Sequence, residues 1–156
     1  MTPPRTTSGT VSSLACGVLA GLVGTGVMTA FQELVEMPVT RRGDSYAPAD
    51  LVEAALRVHP TTPAGRDRLN WAAHFGFGGL WGAAYGAAAR TGLRGQRGVH
   101  AVFAVLYPAD VVLAMALGVY HPRRWTRQDW LVDIGNKYVA LQATGLVHDR
   151  LLARSR

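Results

Sequence analysis

Four stretches of this sequence are nearly free of charge over a length that constrains the fold. Val11 to Phe31 and Trp71 to Ala89 carry no acidic or basic side chain apart from His74. Val99 to Tyr120 adds only His100 and Asp110, and Trp130 to Val147 only Asp133 and Lys137. About 20 apolar residues in helical form cross the hydrocarbon of a bilayer. In lipid a segment satisfies its own backbone amides only as a helix or within a closed barrel. The expectation is therefore an all-α fold, an integral membrane four-helix bundle with a short amphipathic helix in the first long loop. The spans are placed at about 11–33, 69–90, 98–120 and 129–149 from the length a membrane helix needs. Residues 1–10 read as a disordered tail, 11–152 as one four-span domain and 153–156 as a basic tail.

The second run fixes how the helices pack. His74, Gly78, Gly82 and Gly86 recur at every fourth position, which lines them along one face of a helix. Interior glycine costs a helix in water about 1 kcal/mol relative to alanine. In a membrane the same residues admit a neighbouring backbone at short range. The first run supplies a matching set in Gly17 and Gly21, with Gly24 beyond them. These glycines are assigned to helix packing.

The chain has 156 residues, one domain's worth, and a net charge of +6. Its mean hydropathy of +0.11 is low for a membrane protein because polar residues gather in the connections. The basic residues are arginines at the ends of apolar runs, including Arg90, Arg94 and Arg97, then Arg123, Arg124 and Arg127. That arrangement suits lipid headgroups and argues against nucleic acid as a partner. The partner implied is the bilayer, and a pore would require a homo-oligomer. The single cysteine, Cys16, excludes an internal disulfide and reads as a packing residue. Because the apolar region follows Cys16, the first helix is expected to stay in the mature protein.

Polar residues inside the runs are the functional candidates, since ionisable groups within a membrane are costly unless paired or wet. Thr25, Thr29, Gln32 and Glu36 align along the first helix, with Glu33 beside them. That helix is expected to end before Pro38. The connection after it contains a helix carrying Leu51, Val52, Ala55, Leu56 and Val58 on an apolar side, stopped by Pro60; it caps the bundle or lies on the membrane. His100, Phe103, Tyr107, Asp110, Ala114, Leu117 and His121 share one face of the third helix, which Pro108 is placed to kink. Asp133 and Lys137 have the spacing of an ion pair within the fourth helix, whose entrance carries Trp125 and Trp130 as interface anchors.

Threading the runs up and down gathers Glu33, Glu36, His74, His121, Asp133 and Lys137 at the end opposite the termini. Asp110 lies deeper, on a possible polar path toward His100 and His148. Tyr107 and Asp110 complete the ligand or proton path. Carboxylates and imidazoles in one place suit a divalent metal, a proton relay or a polar ligand. No pair has a dedicated metal spacing, so metal and cofactor stay unassigned. A haem or quinone beside the glycines is a further option. Signatures of hydrolases, kinases and phosphate-cradling loops are absent, and covalent catalysis is not expected. Arginines nearly balance between the two ends, and acids, scarce on the termini side, count little in this rule; the termini are read as cytoplasmic.

The segment Glu36-Met37-Pro38-Val39-Thr40-Arg41-Arg42, followed by Pro48 and a short helix, resembles the connection after the first helix of the YagU-like bacterial inner-membrane proteins. The glycine-rich second span with His74 and the Trp130 entrance to the last span are similar in layout. The resemblance implies a multi-pass protein of the bacterial inner membrane and carries over no catalytic residue. Two classes of function follow: passage of protons or ions, or binding of a small ligand, through an intramembrane polar face; alternatively a structural or scaffold subunit, or a metal- or haem-binding protein.

Overall fold

The computed structural model describes residues 7–154. Every regular element among them is helical. Helix α1 spans Thr7–Phe31, a π-helical turn follows at Gln32–Glu36, and α2 covers Met37–Thr40. Helix α3 spans Ala47–Leu56, α4 Pro63–Arg90, α5 Gly95–Ala116 and α6 Arg127–Arg154. The expected tail falls largely on residues 1–6, outside the described residues, while Thr7 to Thr10 belong to α1. Of the basic tail, Ala153 and Arg154 close α6, and 155–156 lie outside the described residues.

The first helix does not end before Pro38. Proline lacks an amide proton, and its ring presses on the carbonyl four residues earlier. The chain meets this by widening the preceding turn, where the Met37 amide donates to the Gln32 carbonyl. The helix then runs on to Thr40 and stops at Arg41, whose φ is 57°. At the other end of the sequence α5 stops at Ala116, short of the expected boundary near 120. Gly118 takes φ 74°, and the amides of Val119 and Tyr120 fold back onto the Ala114 carbonyl. Leu117 and His121 thus leave the face they were expected to share with Asp110. Within α5, Pro108 is accommodated in an unbroken helix.

The other helices run past their expected bounds. Helix α4 starts at Pro63, where the Thr62 hydroxyl accepts from the Gly65 amide, and α6 starts at Arg127. Two helical stretches, Ser13–Thr40 and Gly95–Ala116, are long and apolar enough to cross a membrane. Helix α4 spends its length on glycine and alanine, and α6 carries Asp133, Lys137 and several amides, so neither matches them.

Helix α1 is the centre of the packing, with α4 along one side and α6 along the other; α5 packs on α6, and α3 on α4. Antiparallel α1 and α4 touch backbone to backbone. A Cβ on Gly82 would lie 2.1 Å from the Gly17 carbonyl oxygen, and one on Gly21 would lie 2.2 Å from that of Gly78. Gly86 meets the Ser13 carbonyl, and the Ser13 hydroxyl donates to the Gly86 carbonyl across 3.1 Å. Gly24 gives α6 the same access at Ala140 and Thr144. The glycines of α4 are packed against α1 along this face.

On the termini side, Tyr85, Ala89, Val99, Val102 and Leu141 form a buried core between α4, α5 and α6. Outward faces remain apolar: Leu19, Val23 and Val27 on α1, Val105, Val112 and Leu113 on α5, and Leu131 on α6 are exposed.

Candidate functional site

At the end opposite the termini the helices part around a cavity of about 770 Å³. Its wall begins at Thr29 on α1 and follows the π turn through Gln32, Glu33 and Glu36. π turns arise where an extra residue is forced into a helix, and they recur at functional sites. Helix α4 contributes Asn70, Trp71 and His74, α6 contributes Asp129, Asp133, Asn136 and Lys137, and Tyr120 and Trp125 close the side. A smaller chamber of about 110 Å³ adjoins it, sharing His74, Tyr120 and Lys137. Met28, Leu51, Phe77, Trp81 and Leu141 make that inner chamber largely apolar, and Asp110 reaches its wall.

Lys137 lies at the junction. Its Nζ is 2.7 Å from Asp133 Oδ1 and 2.8 Å from Asp110 Oδ2. All three side chains are about four-fifths buried. The ammonium lies over the rings of Tyr107 and Tyr120, 5.4 and 5.0 Å from their centroids, and donates to the Tyr120 hydroxyl. A lysine in this setting stabilises two carboxylates that would otherwise repel each other. With both acids ionised, the cluster keeps one net negative charge. Asp133 Oδ2 and the oxygen of Asn136 have no hydrogen-bond partner, and Asn136 is only 6% exposed.

His74 is fixed by α1. The Thr29 hydroxyl donates to the Thr25 carbonyl and lies 3.0 Å from His74 Nε2. The hydroxyl has one proton, which it can give to either neighbour, so Thr29 ties the imidazole to the α1 backbone. Glu36 is buried and accepts from Thr40 across 2.7 Å; Glu33 is exposed at the mouth.

The roof is the connection built on α3. Arg66 bridges Asp50 and Glu53, and Asn70 accepts from the Ala49 amide while donating to the Ser45 carbonyl. The hydrogen bond to Glu53 is the main reason the Arg66 guanidinium holds its proton more tightly than a free one. Asp67, accepting from Tyr46, likewise raises the tyrosine above its ordinary value. Arg42 pairs with Asp129, and Gln128 donates to the Thr40 carbonyl, which ties the roof to α6. Only part of the expected apolar side of α3 turns inward. Leu51 is buried and Val52 half-buried, whereas Ala55 and Leu56 are exposed on the last turn and Val58 lies beyond the helix end at Arg57.

Of the residues singled out from sequence, Glu33, Glu36, His74, Asp133 and Lys137 share the large cavity, Asp110 lines the inner chamber, and Tyr107 lies beneath Lys137. His121 is exposed and outside both cavities, a result of the early end of α5. The path toward the termini does not continue. His100 pairs with the Tyr138 hydroxyl on the bundle's outside, and His148 is enclosed against Tyr85 with its rings 5.2 Å apart. Among the described residues no hydrogen bond joins either histidine to Asp110, and no three His, Cys, Asp or Glu side chains are grouped to hold a metal. Tyr120 was not legible as a site residue; a glycine two positions earlier was the available signal that the chain turns back there.

No protein-family model, curated protein or solved structure matches this chain.

Proposed function

We propose that this chain is a multi-span membrane protein in which α1, α4, α5 and α6 cross the bilayer and the cavity admits a small ligand from one side. One observation carries the reading: a large polar cavity that opens at one end is backed by a close-packed half at the other. The apolar stretches of α1 and α5 are only 28% and 22% buried within the fold. Helices so apolar in a water-soluble core would be mostly covered, and lipid is the solvent that fits their outward valines and leucines. Helices α4 and α6 belong to the same bundle, and His74 of α4 with Asp133, Asn136 and Lys137 of α6 face its interior cavity. The YagU-like resemblance points to the same setting.

Ligand binding accounts for the site better than conduction or scaffolding. A proton path needs a continuous chain of exchangeable groups, and among the described residues no hydrogen bond links Asp110 to His100, Tyr85 or His148. A structural bundle gains nothing from the buried, unpartnered oxygens of Asp133 and Asn136, since each such group costs about 1–3 kcal/mol. The test is proton flux in proteoliposomes under an imposed pH gradient. The reading expects a rate equal to that of protein-free vesicles. Flux above that level, lost in Asp110→Asn, would replace ligand binding with proton conduction.

A further inference from the structure

The acceptors of the cavity are in excess of its donors, and this bears on what enters. Six carboxylates line it, against two cationic side chains, in a protein of net charge +6. Both cations are committed, Arg42 to Asp129 and Lys137 to Asp110 and Asp133. Glu33, Glu36 and Asp44 have no ion pair among the described residues. Independently of these charges, the buried Asn136 holds an oxygen with no hydrogen-bond partner, one helical turn from Asp133. Asp133, Asn136 and Lys137 share one face of α6 by their spacing.

We propose, building on the ligand-binding reading above, that the cavity binds a primary amine bearing an apolar group. The unmet demand is for N–H donors with positive charge, which an ammonium meets and an alcohol or carboxylate does not. Its head goes to the acceptors Asp133 and Asn136, with Glu36 facing them from the π turn. The rings of Trp71 and Trp125 flank the head, and aromatic faces attract cations. Its apolar part enters the inner chamber beside Phe77 and Trp81. Lys137 already shows the chemistry, because its own ammonium is held by two carboxylates over two tyrosine rings.

Three probes of one skeleton separate charge from shape: 2-phenylethylamine, 2-phenylethanol and 3-phenylpropionate, titrated into the full-length protein in detergent with tryptophan emission as the readout. The amine is expected to bind about tenfold or more tighter than the other two, the ratio that one charge-assisted hydrogen bond supplies. Asn136→Leu should weaken it by about the same factor, and Asn136→Asp, which adds charge and keeps size, should strengthen it. Equal or tighter binding of the alcohol or the carboxylate would overturn the amine assignment and leave the cavity a ligand site. Failure of all three, with Thr29→Cys still open to a water-soluble thiol reagent, would overturn the assignment alone. A Thr29→Cys that the reagent cannot reach would overturn the underlying cavity reading as well.

Discussion

The same four helices make two unlike ends. Toward the termini, backbones meet at glycines, the Ser13 hydroxyl bonds directly to the opposite helix, and Tyr85, Val99 and Leu141 fill what remains. Toward the other end, the small residues give way to Thr29, His74, Asp133 and Lys137, and the helices stand apart around a cavity. The difference teaches what each residue type does to spacing. Glycine lets dispersion and short polar contacts hold helices together without a filling side chain. Charged groups need partners of defined geometry, and those partners hold the helices open.

Substitutions at each end break or sharpen that contrast. Lys137→Ala leaves Asp110 and Asp133 facing each other and should cost about 3–5 kcal/mol, as loss of one partner from a buried ion cluster does. Replacing all three by apolar residues of similar size should recover most of the loss; thermal unfolding monitored by circular dichroism reads both. At the closed end, Gly82→Val places carbon against the Gly17 carbonyl and should cost about 1–3 kcal/mol, the range for overpacking. Gly26→Ala, which meets nothing within 4 Å, is the matched control and should shift stability by under about 0.5 kcal/mol.

Smaller effects follow at the mouth. Thr29→Val removes the hydrogen-bond partner of His74 and should cost about 1 kcal/mol, with a change in the imidazole NMR resonances. Arg42→Ala cuts a half-exposed pair with Asp129 and should change stability by at most about 1 kcal/mol, with an increase in hydrogen exchange confined to 41–46.

Much of the closed end was legible in the sequence, because a four-residue glycine period names its own face. Gly17 and Gly21 on α1 and Gly78, Gly82 and Gly86 on α4 needed only a partner helix. The Asp133–Lys137 pair was legible too, as an i, i+4 spacing. What the sequence hid was tertiary. The partnership of Asp110 with Lys137 depends on how α5 leans on α6. Tyr120 reaches the site because Gly118 ends α5 with a positive φ, a turn that an uninterrupted apolar run disguised. The π turn at Gln32–Glu36 arose from Pro38, which read as a helix end. Asn136 stood at the edge of the charged face, and only its burial without a partner marked it as a binding group.

The measurement that tests the two-ended architecture most directly is thiol labelling in sealed proteoliposomes of fixed orientation, with Cys16 replaced by serine. Thr29→Cys at the cavity and Val99→Cys in the closed core are each treated with a membrane-impermeant maleimide, first outside and then after permeabilisation. The account predicts labelling of Thr29→Cys from one face only and none of Val99→Cys from either. Labelling of both positions, or of Thr29→Cys from both faces, would contradict it.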